Sequence, residues 1–210
     1  ILENFVIDIA GCSRDWQPAD MIEEIRGQAL EELAGKTAIA NYSGGVDSSV
    51  VCAILRDQIV GVTIDLGQLR FGEIDEIEQN AKYVGIHHHV ITPPIEPFIA
   101  QFSNTIDAEV KRHIFAGGYI ENTVQFGKSR GMKVAVDGST RPDVIESGRT
   151  GADLIKSHHN MIEDGWEDFI RLRPIQHLFK PEVREFARIL GLPPCISERE
   201  PSPGPGEYLR

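Results

Sequence analysis

The chain has 210 residues, 41% of them apolar and 25% charged, enough to bury a core as one large domain and too apolar for global disorder. Its 21 lysines and arginines stand against 32 aspartates and glutamates, and the resulting charge of −11 repels a nucleic-acid backbone. No apolar run approaches the ~18 residues that span a bilayer, and no secretory signal is visible at the N-terminus, so neither a nucleic-acid nor a membrane partner is expected. Cys12, Cys52 and Cys195 lie far apart without a C-x-x-C pair. That argues against a disulfide framework, a zinc ribbon and thioredoxin-like chemistry, and points to a reducing, cytoplasmic setting. On so acidic a chain an anionic ligand has to be held locally, by backbone N–H groups, a few lysines or a metal.

In chain order, Pro18 opens a helix on which Ile22, Ile25, Ala29 and Leu33 recur at helical spacing until Gly35 stops it. Thr37–Tyr42 reads as a short strand and residues 43–49 as a loop. Val50–Leu55 lies too close to that loop to pair as another strand, so a helix is expected there, running to about Asp57. Ile59–Asp65 reads as a second, buried strand, 73–85 as a polar helix and His87–Thr92 as a third strand. A long helix is expected over roughly 109–130, a strand over Lys133–Asp137, and a last helix from Pro181 to Leu190, ended by Gly191. This alternation calls for an α/β fold: a mostly parallel, twisted sheet with helices on both faces and its ligand at the carboxyl ends of the strands. Residues 1–200 read as one domain. Residues 201–210, with the run Pro201-Ser202-Pro203-Gly204-Pro205-Gly206, read as a rigid tail or linker. His87-His88-His89 is not read as a metal site, because consecutive strand residues face opposite sides. Cys12 and Cys195 are expected to be small apolar fillers.

The loop Ser43-Gly44-Gly45-Val46-Asp47-Ser48-Ser49 occupies the carboxyl end of the first strand. Its two glycines let the backbone turn sharply and present N–H groups to an anion, and the following helix adds its dipole. Ser43, Ser48 and Ser49 offer hydroxyls. The loop has no lysine and so is not a Walker A motif. Asp47, a carboxylate among phosphate-binding groups, makes sense with a divalent cation between it and the phosphates. The plainer alternative is a Ser/Gly turn capped by an aspartate.

S-G-G-x-D-S after the first strand resembles the signature of the N-type ATP pyrophosphatases, which cleave ATP between the α- and β-phosphates. Within them the chain is similar to the ATP-pyrophosphatase domain of the GMP synthetases. The likeness is carried by Gly11-Cys12 before Asp15-Trp16, Gly67-Gln68-Leu69-Arg70-Phe71-Gly72-Glu73 and Pro142-Asp143-Val144-Ile145-Glu146-Ser147. Further along come Ile155-Lys156-Ser157-His158-His159-Asn160, Phe179-Lys180-Pro181-Glu182-Val183-Arg184 and Pro203-Gly204-Pro205-Gly206. Departures fall at Phe71, Gly138-Ser139, Arg141, Met161–Asp164 and around Arg199-Glu200.

The resemblance implies an adenine-nucleotide α-hydrolase-like fold, with ATP and Mg²⁺ as cofactors. It implies that the C2 oxygen of xanthosine monophosphate attacks the α-phosphorus, and that ammonia then displaces AMP to give GMP. Ser43, Gly44, Gly45, Val46, Asp47, Ser48 and Ser49 would hold the pyrophosphate, with Asp47 as the magnesium ligand. Lys156 is the first candidate to close over the phosphates and Lys180 the second. Asp65, at the end of the second strand, either reaches the same mouth or caps a turn. Arg70, Asp143, Glu146, His158, His159 and Arg199 are assigned to the acceptor, with a local cap and a buried ion pair as the plainer reading of Asp143 and Glu146. No cysteine sits on a Gly-flanked elbow suited to an amidotransferase, so ammonia is expected from a separate glutamine amidotransferase subunit. A homodimer is left open. Two other readings stand beside this one. A paralog with another carbonyl acceptor is motivated by Arg141, Glu200, Ser202 and Glu207. A non-enzymatic nucleotide sensor would be expected to lack Asp47 or Lys156, and both are present. With Glu200 and Glu207 flanking its acceptor loop, the chain alone is expected to adenylate xanthosine monophosphate poorly.

Overall fold

A computed structural model describes residues 1–13, 17–147 and 164–200. Five strands, β1 (Ala38–Asn41), β2 (Ile59–Ile64), β3 (His87–Ile91), β4 (Val134–Val136) and β5 (Ile170–Leu172), form one sheet ordered β3-β2-β1-β4-β5. Every neighbouring pair is parallel. The α-helices of the described residues are α1 (Pro18–Leu33), α2 (Val46–Ile54), α3 (Glu73–Val84), α4 (Glu96–Ser103), α5 (Ala108–Ser129), α6 (Arg141–Glu146), α7 (Lys180–Ile189) and α8 (Pro194–Ser197), and a π-helical segment, Asn4–Ile9, precedes them. The chain builds outward from β1 to β3, then returns through α4 and α5 to lay β4 on the other side of β1. The strand order therefore reverses between β1 and β4, and a crevice opens at their carboxyl ends.

Side-chain alternation along the strands splits the core in two. Ala38, Ala40, Val134 and Val136 face α1, α2, α3 and α7, whereas Ile39, Val62, Ile64 and Ala135 face α4 and α5. The small residues of β1 let α2 sit close. That helix is apolar almost all round and is buried from Val50 to Ile54. Over it packs α7, whose Val183, Phe186 and Ala187 recur at helical spacing and are fully buried.

Most expected elements are present within a residue or two, with two corrections. First, α2 begins at Val46, not Val50, and ends at Ile54, followed by a single 3₁₀ turn at Arg56–Gln58. Asp47, Ser48 and Ser49 thus lie on the first helical turn. Small polar residues read as loop, yet they are the types a helix N-terminus favours. Second, Cys12 and Cys195 are exposed and only Cys52 is buried. Cys195 sits at the start of the short α8, which turns Ile196 and Ser197 inward instead. The sequence reading missed α4, α6, α8 and β5, most of them too short to display a period. The 201–210 tail lies outside the described residues.

The three histidines of β3 diverge. His88 Nε2 lies 2.8 Å from Thr63 Oγ1, which donates to the Tyr42 carbonyl at 2.5 Å, so His88 ties β3 to β2 and β1. His89, exposed, lies on the opposite face with its ring against Phe126. Burial, aided by the charge of His89, pushes the His88 pKa down to about 4. The unfolded chain takes up this proton near pH 6.5. The stability that neutral His88 contributes is therefore present above about pH 6.5 and is lost as pH falls toward about 4. Denaturant unfolding across that range should show the loss, and His88→Gln, with no proton to gain, should show a shallower slope; equal slopes would contradict it.

Candidate active site

At the end of β1 the chain turns through Ser43 and Gly44 into α2. Gly44 has φ +68°, a left-handed conformation that favours glycine, and a Cβ there would also crowd Arg199 Nη1 at 3.0 Å and Ile77 at 3.1 Å. Gly45 is extended and forms the helix N-cap without a side chain. The serines brace the turn: Ser43 N donates to Ser48 Oγ at 3.3 Å, Gly45 N to Ser43 Oγ at 3.3 Å, and Ser48 Oγ to the Gly45 carbonyl at 3.2 Å. Ser49 is buried, its hydroxyl 3.2 Å from Tyr42 Oη. The N–H groups of Val46, Asp47 and Ser48 have no acceptor inside the helix and stand at the positive end of its dipole. They are aimed where an anion would sit.

Asp47 meets Lys180, the first residue of α7. The ammonium lies 2.5 and 2.6 Å from the two carboxylate oxygens, across 133 positions of sequence. A lysine at a helix N-terminus opposes the helix dipole, and the carboxylate offsets that cost. Burial raises the Asp47 pKa above the ordinary carboxylate value, while Lys180 pulls it down and the charge of Asp143 adds to the rise.

This pair borders a cavity of about 220 Å³. Its floor is Thr63 and Ile64 of β2, its far wall Phe115 and Tyr119 of α5, and its near wall Val46, Leu69 and Ile77. Arg184, Arg199, Glu73 and Glu200 stand at the mouth. Gln68 closes the turn after β2, accepting from Leu66 N at 2.7 Å and donating to the Ile64 carbonyl at 3.0 Å. The combination is a mainly apolar cavity bordered by N–H donors and cations.

The assigned residues divide into several groups. Ser43, Gly45, Val46, Asp47, Lys180 and Arg199 line the cavity, whereas Gly44 of the turn and Ser48 and Ser49 of the first turn of α2 do not. Asp65 accepts from Gly67 N at 2.8 Å, an Asx turn, and does not line the cavity. Arg70 and Arg199 both reach Glu73 Oε1, at 3.2 and 2.9 Å. Burial alone would raise the Glu73 pKa, but hydrogen bonds from Arg70 and the charge of Arg199 hold it below the usual value. Arg184 fixes the segment carrying Arg199 by donating to the Ser197 and Arg199 carbonyls at 2.6 and 3.1 Å. Asp143 accepts from Thr140 N and Oγ1 at 2.8 and 2.9 Å as the capping box of α6. Glu146 ends that helix, and neither carboxylate lines the cavity. Lys156, His158 and His159 lie outside the described residues. Sequence reasoning missed Tyr42, Thr63, Phe115 and Tyr119, which carry no motif and reach the site only through packing. Arg184 was visible as the last residue of the Phe179–Arg184 motif.

Among the described residues no three His, Cys, Asp or Glu side chains gather in a metal-binding group. A cation at this mouth would have Asp47 and otherwise oxygens brought by ligand or water, which is how Mg²⁺ is usually held beside phosphates. Lys180 is the main partner holding the Asp47 pKa down, so Lys180→Met should raise it further. A carboxyl ¹³C titration reads this directly, and an unchanged or lower value would contradict the pairing.

Residues 37–123 match the family described as the arginosuccinate synthase N-terminal HUP domain. The whole chain is 38% identical over 218 residues to a GMP synthase [glutamine-hydrolyzing] of Thermus thermophilus and 36% identical over 222 residues to that of Paraburkholderia phytofirmans. It spans 42% of the length of each. Among solved structures, an NMN synthetase from Francisella tularensis superposes with a TM-score of 0.69 at 14% identity, covering 92% of this chain and 79% of that one. An NH3-dependent NAD synthetase from Campylobacter jejuni superposes at 0.66 with 13% identity, covering 88% and 78%. These two likenesses support the fold.

Proposed function

We propose that this chain, which resembles the N-type ATP pyrophosphatases and is similar along its whole length to GMP synthases, is the ATP-pyrophosphatase part of a GMP synthase. The observation that carries this reading is the pairing of Asp47 and Lys180 across the N-termini of α2 and α7, at the mouth of a cavity with an apolar interior. The paralog reading has less support, since the curated relatives quoted above are GMP synthases throughout.

In the proposed reaction the C2 oxygen of xanthosine monophosphate attacks the α-phosphorus of ATP. A C–O–P bond forms, the bond from the α-phosphorus to the bridging oxygen breaks, and pyrophosphate leaves. Ammonia then attacks C2, the C–O bond breaks with AMP as leaving group, and one proton is shed to give GMP. The adenosine would enter the slot between β2 and α5, with Tyr119 and Phe115 as its far wall. The departing pyrophosphate would meet the N–H groups of Val46, Asp47 and Ser48, with the Ser43 and Ser48 hydroxyls and the backbone of Gly44 and Gly45 closing around it. Lys180 would exchange the Asp47 carboxylate for a phosphate oxygen, placing positive charge where negative charge develops. Asp47, thereby released, would hold Mg²⁺, which supplies neutralisation of the phosphate charge when bound. Lys156, with His158 and His159 on the same segment, is proposed to approach the phosphates from outside the described residues. Arg199 at the mouth, and Arg70, Asp143 and Glu146 outside the cavity lining, are proposed for the acceptor. The ammonia source is proposed to be a separate glutamine amidotransferase subunit, in a cytoplasmic setting and with a homodimer as the assembly. No described helix is long and apolar enough to cross a membrane.

Incubation with Mg-ATP, xanthosine monophosphate and ammonium should release pyrophosphate and AMP and form GMP, slowly in these 210 residues because Glu200, which lines the cavity, would repel an anionic acceptor. Asp47→Asn should lower that rate on the order of a hundredfold, the usual size of one lost electrostatic contact to the transition state. Pyrophosphate release triggered only by another oxopurine or oxopyrimidine would favour the paralog. ADP and phosphate as products would contradict the reading.

A further inference from the structure

The turn after β4 reaches across the crevice and touches the phosphate-binding loop from behind. A Cβ on Gly138 would lie 2.9 Å from both the Asp47 carbonyl carbon and the Ser48 nitrogen, and 3.1 Å from the Asp47 carbonyl oxygen. All three are backbone atoms, so no side chain can swing aside to make room. The peptide unit touched is the one that carries the Ser48 N–H.

The turn itself has little freedom to retreat. Asp137, fully buried, accepts from Ser139 N at 3.1 Å and Ser139 Oγ at 2.5 Å through one carboxylate oxygen. Its other oxygen meets Arg171 Nη2 at 2.5 Å and Arg173 Nε at 3.3 Å. The Asp137 N–H donates to the Leu172 carbonyl at 3.1 Å, and Thr140 with Asp143 caps the helix that follows. Gly138 is thus held between an anchored carboxylate on one side and a capped helix on the other.

We propose that Gly138, backed by Asp137, is a positioning residue: it sets the Asp47–Ser48 peptide so that the Ser48 N–H and the Asp47 carboxylate face the pyrophosphate half of ATP. The inference rests on the ATP-pyrophosphatase reading and concerns only that half of the nucleotide. A glycine that merely allows close packing would, when replaced, weaken every ligand or only the fold. A positioning residue should separate pyrophosphate from adenosine.

The test titrates inorganic pyrophosphate with Mg²⁺ by calorimetry and adenosine by saturation-transfer NMR into the protein and into Gly138→Ala. Pyrophosphate binding should weaken at least tenfold while adenosine binding stays within twofold. Ser139→Ala, which loosens the Asp137 anchor but keeps Gly138, should weaken pyrophosphate about threefold with adenosine unchanged, and it decides the matter should Gly138→Ala not fold. Equal losses for both ligands, or no loss of pyrophosphate in a folded variant, would overturn the proposal. A wild-type protein that binds no pyrophosphate would instead refute the reading beneath it, and the inference with it.

Discussion

The contact between Lys180 and Asp47 is the constraint on which the arrangement of the site depends. It joins the N-termini of two helices whose dipoles both point positive ends at one spot. Two such ends, a lysine and a set of free N–H groups would repel one another without an anion among them. In this structure the anion is the Asp47 carboxylate, partly withdrawn from water and held by the lysine against a burial cost that raises its pKa. On the proposed reading, substrate phosphates take over that neutralising role. The carboxylate is then free for a cation, and both halves of the pair gain a partner where they had one between them.

That concentration of positive potential is local, as it has to be on a chain of −11. Arg70, Arg199, Glu73 and Glu76 form a second cluster in which two positive charges meet two negative ones, and Arg184 pins the backbone from which Arg199 extends. The fold makes this possible by reversing strand order between β1 and β4, so that the loop after one strand and the turn after the other face each other across a crevice. Small residues on β1 and the apolar run Val50–Ile54 of α2 bring the helix close beneath it. Stability and function thus draw on the same helix.

Much of this was legible in the sequence, for identifiable reasons. Elements with a clear period, such as α1, and strands bounded by glycine or charge, such as β2, declared themselves. The loop proposed to hold the phosphates stands out in the sequence because glycine, serine and aspartate in that order have few other uses after a strand. The start of α2 was not, because Asp47, Ser48 and Ser49 suit both a loop and a first helical turn, and only Gly44 in its left-handed conformation and Gly45 as cap decide between them. Lys180 ranked second to Lys156, since nothing local reveals a contact across 133 positions. Phe115, Tyr119 and Thr63 were invisible for the same reason: they are ordinary core residues until the sheet brings them to one cavity. Asp143, read as either a ligand or a cap, is seen to cap α6.

The central claim is that this crevice takes the phosphates of ATP by separating Lys180 from Asp47. Its most direct test is diffraction from crystals grown with Mg²⁺ and an ATP analogue whose α–β bridge is a methylene. The account predicts phosphate oxygens on the N–H groups of Val46, Asp47 and Ser48, Lys180 Nζ on a phosphate and no longer on Asp47, and the adenine against Phe115 and Tyr119. Nucleotide bound elsewhere, or bound here with the Lys180–Asp47 pair intact, would contradict it.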